Sequence, residues 1–193
     1  KKFNLGNTDT ACLFMALAVD LLKKEGINGF IIPKPFVYSS TWEEIRKKLL
    51  TGLNELVDCG KVWKEVKLEQ VIYFYHKIKN EKIYRSCVRN NQEIKCIGKI
   101  NKETFEEFGF LLNGISDVEL KIGRKIKSVG TSLNDFVTNQ RGAIYQKEIT
   151  KNKSDLKVLG GAQIGRYLIH QDVKGYILKK ICESKKINLN INK

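Results

Sequence analysis

The chain has 193 residues, with 35 Lys and Arg against 21 Asp and Glu, a formal charge of +14. Its 42% hydrophobic and 29% charged residues are a globular mix, which excludes a fibrous or disordered chain; the length suits one ordinary domain or two small ones. No apolar run approaches the roughly 20 residues that cross a bilayer, and no apolar h-region follows Lys1-Lys2-Phe3-Asn4, so no membrane partner and no signal peptide are expected, and the expected location is cytoplasmic.

The chain does not start with methionine, so it is expected to be cut from something longer. Its charge is uneven. Residues 1–60 hold eight basic against seven acidic side chains, residues 61–120 eleven against nine, and residues 121–193 sixteen against five. A segment as basic as the last attracts polyanions by counterion release, and nucleic acid is the commonest of them. The alternative is a lysine-rich solvated surface. The five cysteines are widely spaced, with no two-residue spacing of a zinc or redox motif, and read as reduced buried thiols. His76 and His170 have no metal-spaced partners, so no metal site is expected.

In chain order, residues 8–24 predict a helix apolar on most faces, capped by Thr8 or Asp9 and stopped at Gly26. Gly29–Pro33 (GFIIP) is a short continuous apolar run, the pattern of a buried central strand in a parallel sheet. Ser40 with Glu43, or Thr41 with Glu44, offers a capping box for a helix bearing Trp42, Ile45, Leu49 and Leu50. Glu55–Asp58 and Gln70–His76 read as strands. Helix, strand, helix, strand, strand is an α/β layer order, but no glycine-rich nucleotide loop appears before residue 60. The piece therefore reads as the second half of a doubly wound Rossmann-like sheet.

After Asn80 the texture changes. Residues 82–89 and 93–100 alternate with period two about a turn at Asn90-Asn91 and predict a β-hairpin. Asn101 can cap a short helix with Phe105, Phe108, Leu111 and Leu112 on its apolar side, and residues 116–127 suggest another helix with a basic outer face. The remainder is short strand-like pieces broken by glycine. The expected domains are 1–80 and 81–193.

Three segments in fixed order carry a resemblance. DTACLFMALAVDLLKKEGINGFIIPKPFVYSSTWEEIRKKLL resembles the stretch of the adenine-N6 DNA methyltransferases that follows their catalytic Asn-Pro-Pro-aromatic motif. LVDCGKVWKEVKLEQVIYFYHK looks like the late strand pair of those enzymes, where Gly-x-Val-Phe precedes a charged loop. SLNDFVTNQRGAIYQ and LKVLGGAQIGRYLI are similar to the start of the target-recognition region in this family and in related restriction–modification enzymes.

The resemblance implies the rear of a methyltransferase sheet followed by a mixed α+β DNA-recognition region. It further implies S-adenosylmethionine as cofactor, held mainly by residues upstream, and double-stranded DNA as partner. Such enzymes flip the target adenine out of the stack. The stacking aromatic falls on Trp63 of Gly60-Lys61-Val62-Trp63, with Lys61, Lys64 and Lys67 as a basic rim. A core tryptophan is the competing reading. Pro33, Lys34, Pro35 and Phe36, at the carboxyl end of the apolar run, fall on the border of the donor and base pockets. Gln140, Arg141 and Gly142 match the Arg-Gly element; Gly160, Gly161, Gln163, Arg166 and Tyr167 match the Gly-Gly-x-x-Ile-x-Arg-Tyr element, and all eight are expected at DNA.

The chain has no Asn-Pro-Pro motif, its prolines being Pro33 and Pro35, and no glycine-rich donor loop, so alone it is expected to be inactive. The alternative reading is a non-catalytic DNA specificity module of a restriction–modification complex. An RNA-binding domain is disfavoured, since no RNP-type motif or GXXG loop is present.

Overall fold

The computed structural model describes residues 10–78, 81–137 and 146–184. The chain divides into two compact units, Lys1–Thr131 and Ser132–Lys193. In the first, strands β1 (Ile27–Pro33), β2 (Leu53–Gly60), β3 (Gln70–His76), β4 (Ile83–Asn90) and β5 (Glu93–Asn101) form one sheet in the order β1-β3-β2-β4-β5. β1, β2 and β4 run one way; β3 and β5 run the other. The sheet is mixed, not the parallel one expected, because β3 lies antiparallel in the slot between β1 and β2. The expected division at residue 80 falls inside this sheet, since β4 pairs with β2.

β1 and β2 are parallel and joined through helix α2 (Glu43–Leu50), a β-α-β crossover. GFIIP does form a strand, but an edge strand: Ile27 and Ile31 are 64% and 42% exposed and Ile32 is buried. A continuous apolar run looks alike whether buried on both faces or on one; the register decides, and here every second residue faces the core.

Helix α1 (Thr10–Leu21) buries Cys12, Met15, Ala16 and Val19, the stripe of a single helical face. Burial all round is not observed, since α1 meets β1 and α2 on that side while Phe14 and Leu21 lie exposed. The stripe packs with Ile45 and Leu49 of α2 over Leu56, Val71, Tyr73 and Tyr84 of the sheet. Phe105 of helix α3 (Thr104–Phe108) and Leu120 of helix α4 (Asp117–Val129) join the same core, so the described helices of this unit share one face. A smaller cluster of Val57, Cys59 and Cys87 marks the other face.

Neither expected capping box forms at α2. Ser40–Trp42 closes a 3-10 turn and Trp42 takes the N-cap, while Glu43 and Glu44 pair with Lys47. At α4 a capping box does form, between Ser116 and Glu119. Hydrogen bonds from the Ser116 backbone and hydroxyl hold the Glu119 carboxyl below its usual range. The outer face of α4 is apolar as well as basic, with Val118, Ile122, Ile126 and Val129 exposed.

The hairpin forms as expected, and its register corrects the cysteine reading. Asn90 opposes Glu93, which brings Cys87 opposite Cys96, and the two are joined as a disulfide. The remaining thiols, Cys12, Cys59 and Cys182, are buried as expected. Counting outward from the Asn90–Glu93 pair would have found the bridge. Alkylating the denatured but unreduced protein should therefore label three of the five cysteines; labelling of all five would remove the bridge.

The second unit is small. β6 (Leu156–Val158) pairs with β9 (Gly175–Ile177), and β7 (Ile164–Gly165) with β8 (Leu168–Ile169) in a hairpin; helix α5 (Lys179–Ser184) follows. Among its described residues, Ile177 and Cys182 are buried and apolar. Among the described residues no helix is long and apolar enough to cross a membrane.

Candidate functional site: the carboxyl edge of the sheet

Pro33 and Gly60, the last residues of β1 and β2, both stand opposite Gln70, the first residue of β3. The antiparallel insertion of β3 thus sets the exits of two parallel strands side by side. Segments 33–36 and 60–63, far apart in sequence, leave the sheet at one edge. Gly60 makes its exit at φ +57, a left-handed backbone that glycine adopts freely, and its N–H donates to Asp58 Oδ1 at 3.1 Å.

Lys34 ties this edge together. Its N–H donates to the Glu69 carbonyl at 2.8 Å, and Nζ lies 2.8 Å from Asp58 Oδ2 and 2.7 Å from Glu69 Oε2. Partial burial opposes the charge, but the hydrogen bonds to both carboxylates outweigh it and hold the ammonium above the usual lysine range. Because the folded value is raised, the stabilisation is fully present below the unfolded lysine pKa of about 10.4 and fades as pH climbs through the folded one. Lys34→Met should cost about 1 kcal/mol at neutral pH, read by urea unfolding, with the gap to wild type closing in strong alkali.

Arg46 holds the same turn from beneath. It is 1% exposed, and Nη1 donates to the Phe36 carbonyl at 2.8 Å and the Ser39 carbonyl at 2.7 Å. Its guanidinium carbon sits 5.7 Å from the Phe105 ring centre. Burial pushes its pKa down, with Glu43 opposing. Phe36 is buried at the core edge, tilted against Tyr73 and edge-on to Trp42, whereas Pro33, Lys34 and Pro35 are half-buried.

A cleft of about 220 Å³ opens beside the turn, lined by Lys34, Val37, Tyr38, Phe110–Asn113 and Ile115. Its far wall is fastened to the sheet: Tyr84 Oη donates to the Leu112 carbonyl at 2.7 Å, and Ile115 N donates to Ser86 Oγ at 3.2 Å. Both polar atoms of the Asn113 carboxamide are buried there without a hydrogen-bond partner. The loop between β2 and β3 carries Trp63, 45% exposed, among exposed Lys61, Lys64 and Lys67. Trp63 is thus a surface residue beside the sheet edge, on a basic loop, and not a core tryptophan.

In the second unit, Gln163 is buried and used within the fold. Its Oε1 accepts from Gly160 N at 3.1 Å and its Nε2 donates to Asp172 Oδ2 at 2.9 Å, so the carboxamide ties the base of the β7–β8 hairpin. Gly160 lies close to Lys174, where a Cβ would meet the side chain at 3.0 Å; Gly161 is open. Arg166 and Tyr167 form the hairpin tip, with the guanidinium 5.4 Å from the Tyr167 ring centre. Gln140, Arg141 and Gly142 lie outside the described residues.

Residues 1–63 match the family described as Eco57I restriction-modification methylase. The match takes in the apolar helix, GFIIP, the Arg46 helix and β2, and it ends on Trp63. It spans about a third of the chain, and that third is similar to restriction–modification methylases. Among solved structures, the type IIG restriction endonuclease BpuSI is 15% identical with a TM-score of 0.42, covering 49% of this chain and 14% of its own. A DrdV–DNA complex is 18% identical with a TM-score of 0.34, covering 45% and 11%. The chain spans a small fraction of either protein. None of the curated proteins is similar enough to count as a match.

Sequence reasoning missed Arg46, Asp58, Glu69 and Asn113 as site-building residues. Arg46 stood in plain view, a basic residue on the apolar side of a helix between Ile45 and Leu49. Nothing in the sequence pairs Lys34 with Asp58 and Glu69; that contact exists because β3 lies between β1 and β2.

Proposed function

We propose that the chain is part of a base-flipping, site-specific adenine-N6 DNA methyltransferase of a restriction–modification system. In this reading the first unit is the rear of the catalytic domain and the second unit begins the target-recognition region. The observation that carries it is the family match over residues 1–63, whose last residues lie at the sheet edge beside Pro33. Trp63 stacks on the extrahelical adenine, worth about 1–3 kcal/mol. Lys61, Lys64 and Lys67 bring phosphate close, and Arg166 reaches the duplex from the second unit.

S-adenosylmethionine would supply the methyl group. At this edge the two carboxylates, Asp58 and Glu69, are both engaged by Lys34. In this reading the donor and the Asn-Pro-Pro-aromatic motif come from elsewhere in the enzyme, and residues 33–36 border the pocket. The test is to incubate the full-length protein with methyl-labelled S-adenosylmethionine and duplex DNA, then resolve the nucleosides. Label in N6-methyladenine is expected; label in methylcytosine, or none, sinks the assignment. The alternative, a non-catalytic specificity module, predicts DNA binding without methyl transfer, and a parent reading frame that lacks an Asn-Pro-Pro-aromatic motif within about 25 codons upstream of Lys1.

A further inference from the structure

The turn joining β7 to β8 carries its residues against local preference. Gly165 pairs with Leu168, so Arg166 and Tyr167 alone make the turn. Tyr167 has φ +62, in the left-handed region that glycine and asparagine occupy cheaply and an aromatic residue does not. A tight β-turn of this kind selects glycine or asparagine at such a position. The tyrosine gains nothing from the fold in return. It is 94% exposed, and among the described residues no hydrogen bond holds its hydroxyl. Its contact is with Arg166, the other tip residue, whose guanidinium lies over the ring. The rest of the ribbon is exposed and apolar too: Ile164 is 60%, Leu168 51% and Ile169 65% exposed.

The base of this ribbon, by contrast, is fixed. Gln163 is clamped to Gly160 and Asp172, and the His170 N–H donates to the Gln163 carbonyl at 2.9 Å. A strained, fully exposed aromatic on a braced stalk is the mark of a residue kept for something outside the fold.

We propose that the β7–β8 ribbon is a groove probe, with Tyr167 its base-contacting tip and a specificity-determining residue for duplex DNA. The partner follows from charge and shape. From Ser132 onward the unit carries twelve Lys and Arg against five Asp and Glu. A two-stranded β-ribbon is of the size a DNA groove admits. The aromatic ring offers a stacking or methyl-contacting face, and Arg166 beside it offers a fork for guanine or phosphate. The inference rests on the methyltransferase reading above and adds to it a residue that reads DNA at the expense of its own backbone.

Tyr167→Gly separates function from folding. In the full-length protein it should melt at the same or a higher temperature than wild type, because glycine relieves the backbone. Fluorescence anisotropy should meanwhile show cognate duplex, identified by sequencing methylated sites in the source genome, binding ten-fold or more weakly. Affinity for a scrambled duplex should change little, and Tyr167→Phe should keep most of the wild-type preference. Cognate affinity equal to wild type overturns the proposal, as does a parallel loss on both duplexes or a lowered melting temperature, which would make the ring a packing element. If wild-type protein binds and methylates DNA in the same experiment, such a result removes only the role of Tyr167. If wild-type protein does neither, the methyltransferase reading fails instead.

Discussion

Arg46→Ala is expected to cost about 3 kcal/mol of folding stability. The guanidinium is buried, and Nη1 is the donor for two main-chain carbonyls, those of Phe36 and Ser39. Removing it leaves both acceptors facing a cavity that water fills poorly, and it takes the cation from the face of Phe105. The gain is reduced by what burial of the charge already costs, visible in its lowered pKa and in Nε, which is buried without a partner. Arg46→Met is the informative control. It refills most of the volume but donates nothing, so it should recover about half the loss. Urea unfolding of the three proteins at neutral pH measures this. A methionine variant as stable as wild type would show that Arg46 contributes bulk and no net hydrogen bonding. The effect should extend to function, since the turn that Arg46 holds also positions Lys34 against Asp58 and Glu69.

Trp63→Ala should have the opposite profile, with a large effect on chemistry and a small one on folding. The indole is nearly half exposed and lies outside both apolar clusters, so the melting temperature should shift little. If the ring stacks on an extrahelical adenine, its loss removes about 1–3 kcal/mol from capture of the base, or about five- to 150-fold in methyl transfer. In the same reading duplex binding rests on phosphate contacts and should stay close to wild type. Replacing the target adenine with 2-aminopurine reports on capture directly. Wild-type protein should enhance its fluorescence and the alanine variant should not, with Trp63→Phe restoring the signal. A drop in melting temperature with unchanged fluorescence would assign the residue to packing.

Much of the first unit was legible before any coordinates. β3 and the hairpin follow the alternation of their side chains, and α2 and α4 follow their apolar spacing. Local pattern sees one element at a time, however, and apart from the Cys87–Cys96 bridge and Arg46 the differences lie in what pattern cannot see. GFIIP is apolar throughout, the composition of a central strand, yet a strand takes its place in a sheet from its neighbours. The capping box at α2 failed because the chain tightened into a 3-10 turn that gave the N-cap to Trp42. The Gly-Gly-x-x-Ile-x-Arg-Tyr resemblance places Gln163 at DNA, and what it does not reveal is that the fold engages both ends of that carboxamide internally.

By itself, the sequence determined that this chain is globular, α/β and basic toward its end, and that residues 1–63 are similar to restriction–modification methylases. Those properties are carried by composition, periodicity and ordered motifs, all local or additive along the chain. Only the tertiary structure decided that Pro33 and Gly60 emerge together, that Lys34 is bound between Asp58 and Glu69, and that Trp63 lies exposed at that edge. It likewise placed Tyr167 at a left-handed turn. Each depends on strand order, register or a backbone angle, quantities set by long-range pairing and packing that no window of sequence contains.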